Sequence, residues 1–358
     1  MSLINPSARA AQWFLRSGIQ EPAGGVARYY REDLQRNSAV STEITGYALC
    51  TFLFAHACTG ERDYLCRAQA AARFLANAVG RDRVLPFEIG SCDGDFSYFF
   101  DCGIVVRSLV AAWHVLREPG LLETATALGH AMAADFSASD GGYNPILMLP
   151  EKQPLAYDSL RWSRTPGCYQ LKAALAWREL FEATGDARFD ALYEGALETA
   201  LRGYGSFLPG HAEPAMVVDR LHAFLYFLEG LLPRAAEKRC AAALCHGIQT
   251  VAGYVAETAT EFERSDVYAQ LLRIRVYADW AGAVPLHVPA ARREADTLGT
   301  FQIASADPRT EGGFYFGRQG AQWRPHVNPV SAAFAMQALA LWDRHQNGRE
   351  PVDARLLI

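Results

Sequence analysis

Three aspartates stand where this chain could do acid–base work. Asp101 precedes the apolar run Cys102–Leu116, Asp219 precedes Leu221–Leu232, and Asp158 lies in the long polar stretch 137–164. Hydrolysis of a glycosidic bond needs two carboxyls flanking it, one protonated and one ionised, so these three are the candidate catalytic acids, with Glu43 and Asp266 behind them. Around them are groups suited to holding a sugar. Tyr30, Tyr98, Trp162 and Trp323 offer flat faces for ring stacking, while Glu43, Asp266 and Arg161 offer charged partners for hydroxyls. His222 and His326 could serve as bases or donors. Removal of a proton beside a carboxylate, as in an epimerase or lyase, would use such a His, or a Tyr, with Arg neutralising the carboxylate.

Each of these residues also has a structural reading. Asp101 and Asp219 occupy positions where helix N-caps are found, and Glu43 and Asp266 would answer the positive end of a helix dipole. Asp158 reads equally as a solvated loop acid, and the two histidines as hydrogen-bonded structural residues. Spacing does not say which two carboxyls face each other. Asp93-Gly94-Asp95-Phe96-Ser97 resembles the start of a calcium loop but lacks the distal Glu, and the histidines lack metal-ligand spacing. No metal and no cofactor are expected.

The elements that would position these residues repeat. Ser41–Phe74 reads as a helical hairpin: a nearly all-apolar helix, a stop at Thr59-Gly60, then an amphipathic helix from Glu61 with Tyr64, Leu65, Ala68, Ala71, Ala72 and Leu75 at helical spacing. The same alternation of buried and half-exposed helices recurs after inferred caps at Ser41, Asp101, Thr165, Asp219, Ser265 and Asn328, which stand 46 to 64 residues apart. The last inner helix, Val330–Trp342, has no outer helix after it. The helix over residues 6–18 supplies the missing partner. The expectation is an all-α (α/α)6 toroid, one domain spanning 1–358, with an open helical solenoid as the rival. In a closed ring the loops entering the inner helices share one face, and the candidate residues fall in those loops. Trp13, Trp113, Trp177, Trp280 and Trp342 are expected to pack between helices.

Composition bounds the function classes. The net charge of −5 argues against a nucleic-acid partner, which needs a basic surface. The start, MSLINPSARAAQWFL, lacks the basic segment and apolar core of a signal peptide, and no uncharged apolar run approaches membrane-spanning length, so a cytoplasmic protein is expected. The eight cysteines contain no Cys-x-x-Cys pair and read as reduced core residues.

With its repeated hairpins and its Gly-Gly-aromatic loops at Gly24, Gly141 and Gly312, the chain resembles the six-hairpin glycosidase-like superfamily, and more loosely the terpenoid-cyclase and prenyltransferase toroids. The first resemblance implies a glycoside hydrolase, polysaccharide lyase or sugar epimerase, with its site at the mouth of the ring and a small-molecule or oligosaccharide ligand. Neither terpenoid function is supported. Asp93-Gly94-Asp95-Phe96 lacks the last acid of the cyclase motif, and adjacent Asp101-Cys102 cannot reproduce the prenyltransferase zinc spacing. A non-catalytic glycan-binding or polysaccharide-assembly protein on the same fold is the alternative.

Overall fold

A computed structural model describes residues 5–80, 85–90, 96–211 and 213–358. Asp93 and Asp95 lie outside the described residues. Twelve α-helices among the described residues form two layers. The inner layer is α2 (Thr42–Thr59), α4 (Phe99–Leu116), α6 (Gln170–Thr184), α8 (Pro214–Leu231), α10 (Ser265–Trp280) and α12 (Pro329–Gln346). The outer layer is α1 (Asn5–Arg16), α3 (Arg62–Ala78), α5 (Pro119–Asp135), α7 (Ala187–Gly203), α9 (Lys238–Thr258) and α11 (Val288–Gly299). Each inner helix packs on the next, α12 returns to α2, and α1 lies on α12. The ring is closed, so the architecture is an all-α (α/α)6 toroid and the open solenoid is excluded.

The layering follows from the side chains. Thr42 and the run from Ile44 to Ala55 are buried on every side of α2, whereas α3 buries only Tyr64, Ala68, Ala71, Ala72 and Leu75. Gly60, left-handed at φ 76°, donates its N–H to the His56 carbonyl and ends α2; Gly185 ends α6 in the same way. Inner helices touch backbone to side chain: a Cβ on Gly103 would stand 2.6 Å from the backbone of Ala173. By length and composition α4 is apolar enough to cross a membrane, but 78% of it is buried in the ring, and it carries Asp101 and Arg107.

Several expected caps are corrected. Ser41 and Asn328 do cap their helices, accepting from the backbone N–H of Ile44 and Val330. Asp101 does not, because α4 starts two residues earlier at Phe99, and α8 starts at Pro214, five residues before Asp219. Thr165 spends its hydroxyl on the Asp158 carbonyl, and α6 starts only at Gln170. Ser265 is the first residue of α10, its hydroxyl donating to the Tyr315 carbonyl across the neighbouring loop.

The loops entering the inner helices also contain short strands that helical periodicity does not register. Among the described residues they form four three-stranded antiparallel sheets. One of them pairs His326–Val327 with Tyr30–Arg31, stitching the two ends of the ring together at the mouth. At the opposite end a short 3-10 turn, Ala354–Leu356, leads the chain inward. Leu356, Leu357 and Ile358 are buried against inner helices, Gln337 donating to the Leu356 carbonyl and Arg107 to that of Leu357.

Candidate active site

The mouth is built from the first turns of the inner helices. Glu43 on α2 and Asp101 on the adjacent α4 form an electrostatically linked pair. Burial raises the Asp101 carboxyl well above its ordinary value, the Glu43 charge raises it further, and Arg28 opposes both. Asp101 is 4% exposed, and its Oδ2 has no hydrogen-bond partner among the described residues. Burial pushes Glu43 up to about 7, against the pull of Arg28 and Lys172 and of the Tyr47 hydroxyl beside it. Two buried carboxyls linked in this way resist losing both protons.

Aromatic rings pack on the neighbouring inner helices. Tyr226 on α8 packs on Phe100 with centroids 4.7 Å apart, and burial together with the Glu43 and Asp266 charges keeps its phenol protonated. Trp162 stands edge-on to His222 at 4.8 Å and to Tyr169 at 5.0 Å. Burial and the nearby Arg264 charge lower the His222 pKa well below its ordinary value, so the imidazole is neutral. Asp266 is buried and gripped by two bonds from Arg264, 3.0 and 2.6 Å long. Arg28 lies over Phe87, pairs with Glu88 at 3.3 Å, and so tops the rim beside Tyr98.

Under this floor is a feature that the sequence reading missed. Lys172 on α6 is fully buried, its Nζ 4.6 Å from the Tyr226 ring centroid, 4.8 Å from Phe334 and 5.4 Å from Tyr47. It pairs with Glu229 on α8 at 2.5 Å, and Glu229 pairs also with Arg273 on α10. Arg273 continues to Gln337 on α12 and to the Ile358 carbonyl. A chain of charge therefore runs down the ring axis from the mouth to residues 356–358. Burial lowers Lys172 to about 7 against the attraction of Glu229. The signal in the sequence was a single Lys inside the apolar run LKAALAW, matched by Glu229 and Arg273 in equally apolar helices.

The other candidate residues are dispersed. Asp158 accepts from the Leu160 N–H and faces Arg164 and Arg161 at 3.7 and 3.9 Å, so its contacts stay within its own loop and it does not join the Glu43–Asp101 pair. Asp219 is an exposed rim residue one turn before His222. Arg161 is exposed. Tyr30 is buried beneath the rim with Arg309 over its ring at 5.4 Å, and His326 stacks on Tyr29 at 4.8 Å. Trp323, 37% exposed, stacks on Tyr315 and meets Phe301 just beyond the end of α11, outside the ring of inner helices. Among the described residues no group of three His, Cys, Asp or Glu could hold a metal.

No protein-family model matches the chain, and no curated protein matches it. Solved structures do. A sugar epimerase from a ruminal bacterium superimposes with a TM-score of 0.72 at 10% identity, covering 96% of this chain and 100% of that one. The cellobiose 2-epimerase of Bacillus thermoamylovorans gives 0.68 at 12%, covering 92% and 95%. A family 76 glycoside hydrolase from a bovine Bacteroides thetaiotaomicron strain gives 0.63 at 10%, covering 96% and 78%. The chain thus shares the (α/α)6 toroid architecture of these structures.

Proposed function

We propose that this protein is a carbohydrate-active enzyme whose reaction takes place at the mouth of the ring, with Asp101 as the proton donor and Glu43 as the partner carboxylate. One observation carries the reading: two carboxyls on adjacent inner helices, both raised by burial, Asp101 raised further by the Glu43 charge, with an Asp101 oxygen that meets no partner among the described residues. Asp101, its carboxyl raised well above the ordinary value, can deliver a proton to a glycosidic or ring oxygen, while Glu43, pushed up to about 7, can accept one. Tyr226, Phe100 and Trp162 supply stacking faces, and Arg28 and Arg264 balance negative charge. The sugar chemistry of the structurally similar epimerases and hydrolase supports the class. His222, neutral and held against Trp162, is the group that an epimerase chemistry would recruit as base. The test incubates the protein with mono- to hexasaccharides and follows release, unsaturation and epimerisation by NMR. Turnover lost by at least 100-fold in both Asp101→Asn and Glu43→Gln is expected. Full activity in either variant, or no conversion of any sugar, overturns the assignment.

A further inference from the structure

Beside the mouth, on the same face, a cavity of about 550 Å³ runs outward between the loop after α5 and the C-terminal half of α7. It is within the roughly 300–1,000 Å³ of small-molecule sites. Its inner end is Trp162, the ring that meets His222 at the mouth. Phe207 and Arg220 continue the wall, and Gln170 forms part of the floor. Arg220 is fixed by bonds of 2.9 Å from its two Nη atoms to the carbonyls of Phe207 and Ser159, which leaves its buried Nε–H with no partner among the described residues. Along the far side, α7 presents Gly195 and Thr199, and a Cβ added at Gly195 would meet nothing within 4 Å.

We propose that this cavity is a subsite for the further glycosyl units of an oligosaccharide whose reacting unit occupies the mouth; the inference rests on the carbohydrate reading above and specifies a substrate longer than a monosaccharide. A sugar chain needs a flat apolar wall for ring faces, a few fixed donors for hydroxyls, and a way out of the site. Trp162 and Phe207 supply the first, the lining side chains of Arg202 and Ser206 the second, and the open outer end the third. Trp162 belongs to both compartments, so a chain leaving the mouth passes along it.

Binding is read separately from turnover by working in the Asp101→Asn background and titrating glucose-, mannose- and uronate-based glycans of one to six units by calorimetry. Affinity is expected to rise with chain length. Gly195→Trp and Thr199→Trp, which fill the cavity from an exposed helix face, should cut the tetrasaccharide-to-disaccharide affinity ratio by about ten-fold, as loss of one stacked ring implies. Thermal melting of the same variants shows that they fold. Sugars bound with no dependence on length, or an unchanged ratio in both folded variants, overturn the subsite while leaving the mouth assignment standing. No binding of any sugar overturns both.

Discussion

Replacing Lys172 with Met removes the buried axial charge while keeping the length of the side chain. In the unfolded chain Lys172 holds its proton up to its ordinary 10.5, and in the folded ring it releases it near 7. Between those values the unfolded state binds more protons, so the stability of the native protein rises with pH. At about 1.4 kcal/mol per pH unit the whole interval is worth roughly 5 kcal/mol, and two units of it roughly 2 to 3 kcal/mol. Lys172→Met lacks this gain. Its Glu229 neighbour keeps the Arg273 partner, so no buried carboxylate is orphaned, and a well-packed apolar replacement of a buried ion is often neutral or stabilising. The expected result is therefore specific: near pH 6 to 7 the variant matches or exceeds the native protein in stability, and by pH 9 the native protein has gained about 2 to 3 kcal/mol on it. Urea unfolding at pH 6, 7, 8 and 9 under reducing conditions measures the difference directly. Curves for the two proteins that stay parallel across this range, or a gap that moves the other way, would show that Lys172 keeps its proton in the fold and would refute the reasoning.

Glu43→Gln is expected to gain stability on the native protein as pH rises from 5 to 8. Folded Glu43 retains a proton to about 7 while the unfolded side chain loses it near 4.5, so native stability falls through that window; thermal melts across it are the check. Gly103→Ala should cost about 1 to 3 kcal/mol or more because its Cβ meets the Ala173 backbone at 2.6 Å. Gly46→Ala, meeting an Ile104 methyl at 3.2 Å, should cost less, and equal losses in denaturant titrations would contradict the packing described for the inner layer.

Much of the ring could be read from the sequence because burial writes itself into periodicity. The unbroken apolar run of α2 and the amphipathic α3 differ in the way that their layers differ, and the α1–α12 pairing followed from one unmatched helix at each end. Helix starts were less legible. Asp101 and Asp219 have the chemistry of caps, yet the strands and turns before them decide where α4 and α8 begin. The site was legible only in part. Glu43, Asp101, Trp162 and Asp266 stand at the mouth because each sits near the start of an inner helix or in the loop before one, and His222, two turns into α8, meets Trp162 there. Asp158 and Trp323 are in loops of the same kind but turn to partners of their own, Arg164 and Tyr315, and no spacing rule registers where a loop folds back. Lys172 and Glu229 escaped notice because they lie inside apolar helices, on different turns of different hairpins, and only closure of the ring brings them together.

Residues 356–358 lie against the inner helices at the end of the ring away from the mouth, with Arg273, Gln337 and Arg107 bonded to their backbone. Three inner helices, α4, α10 and α12, share this one fastening, so shortening the chain there would loosen all three together.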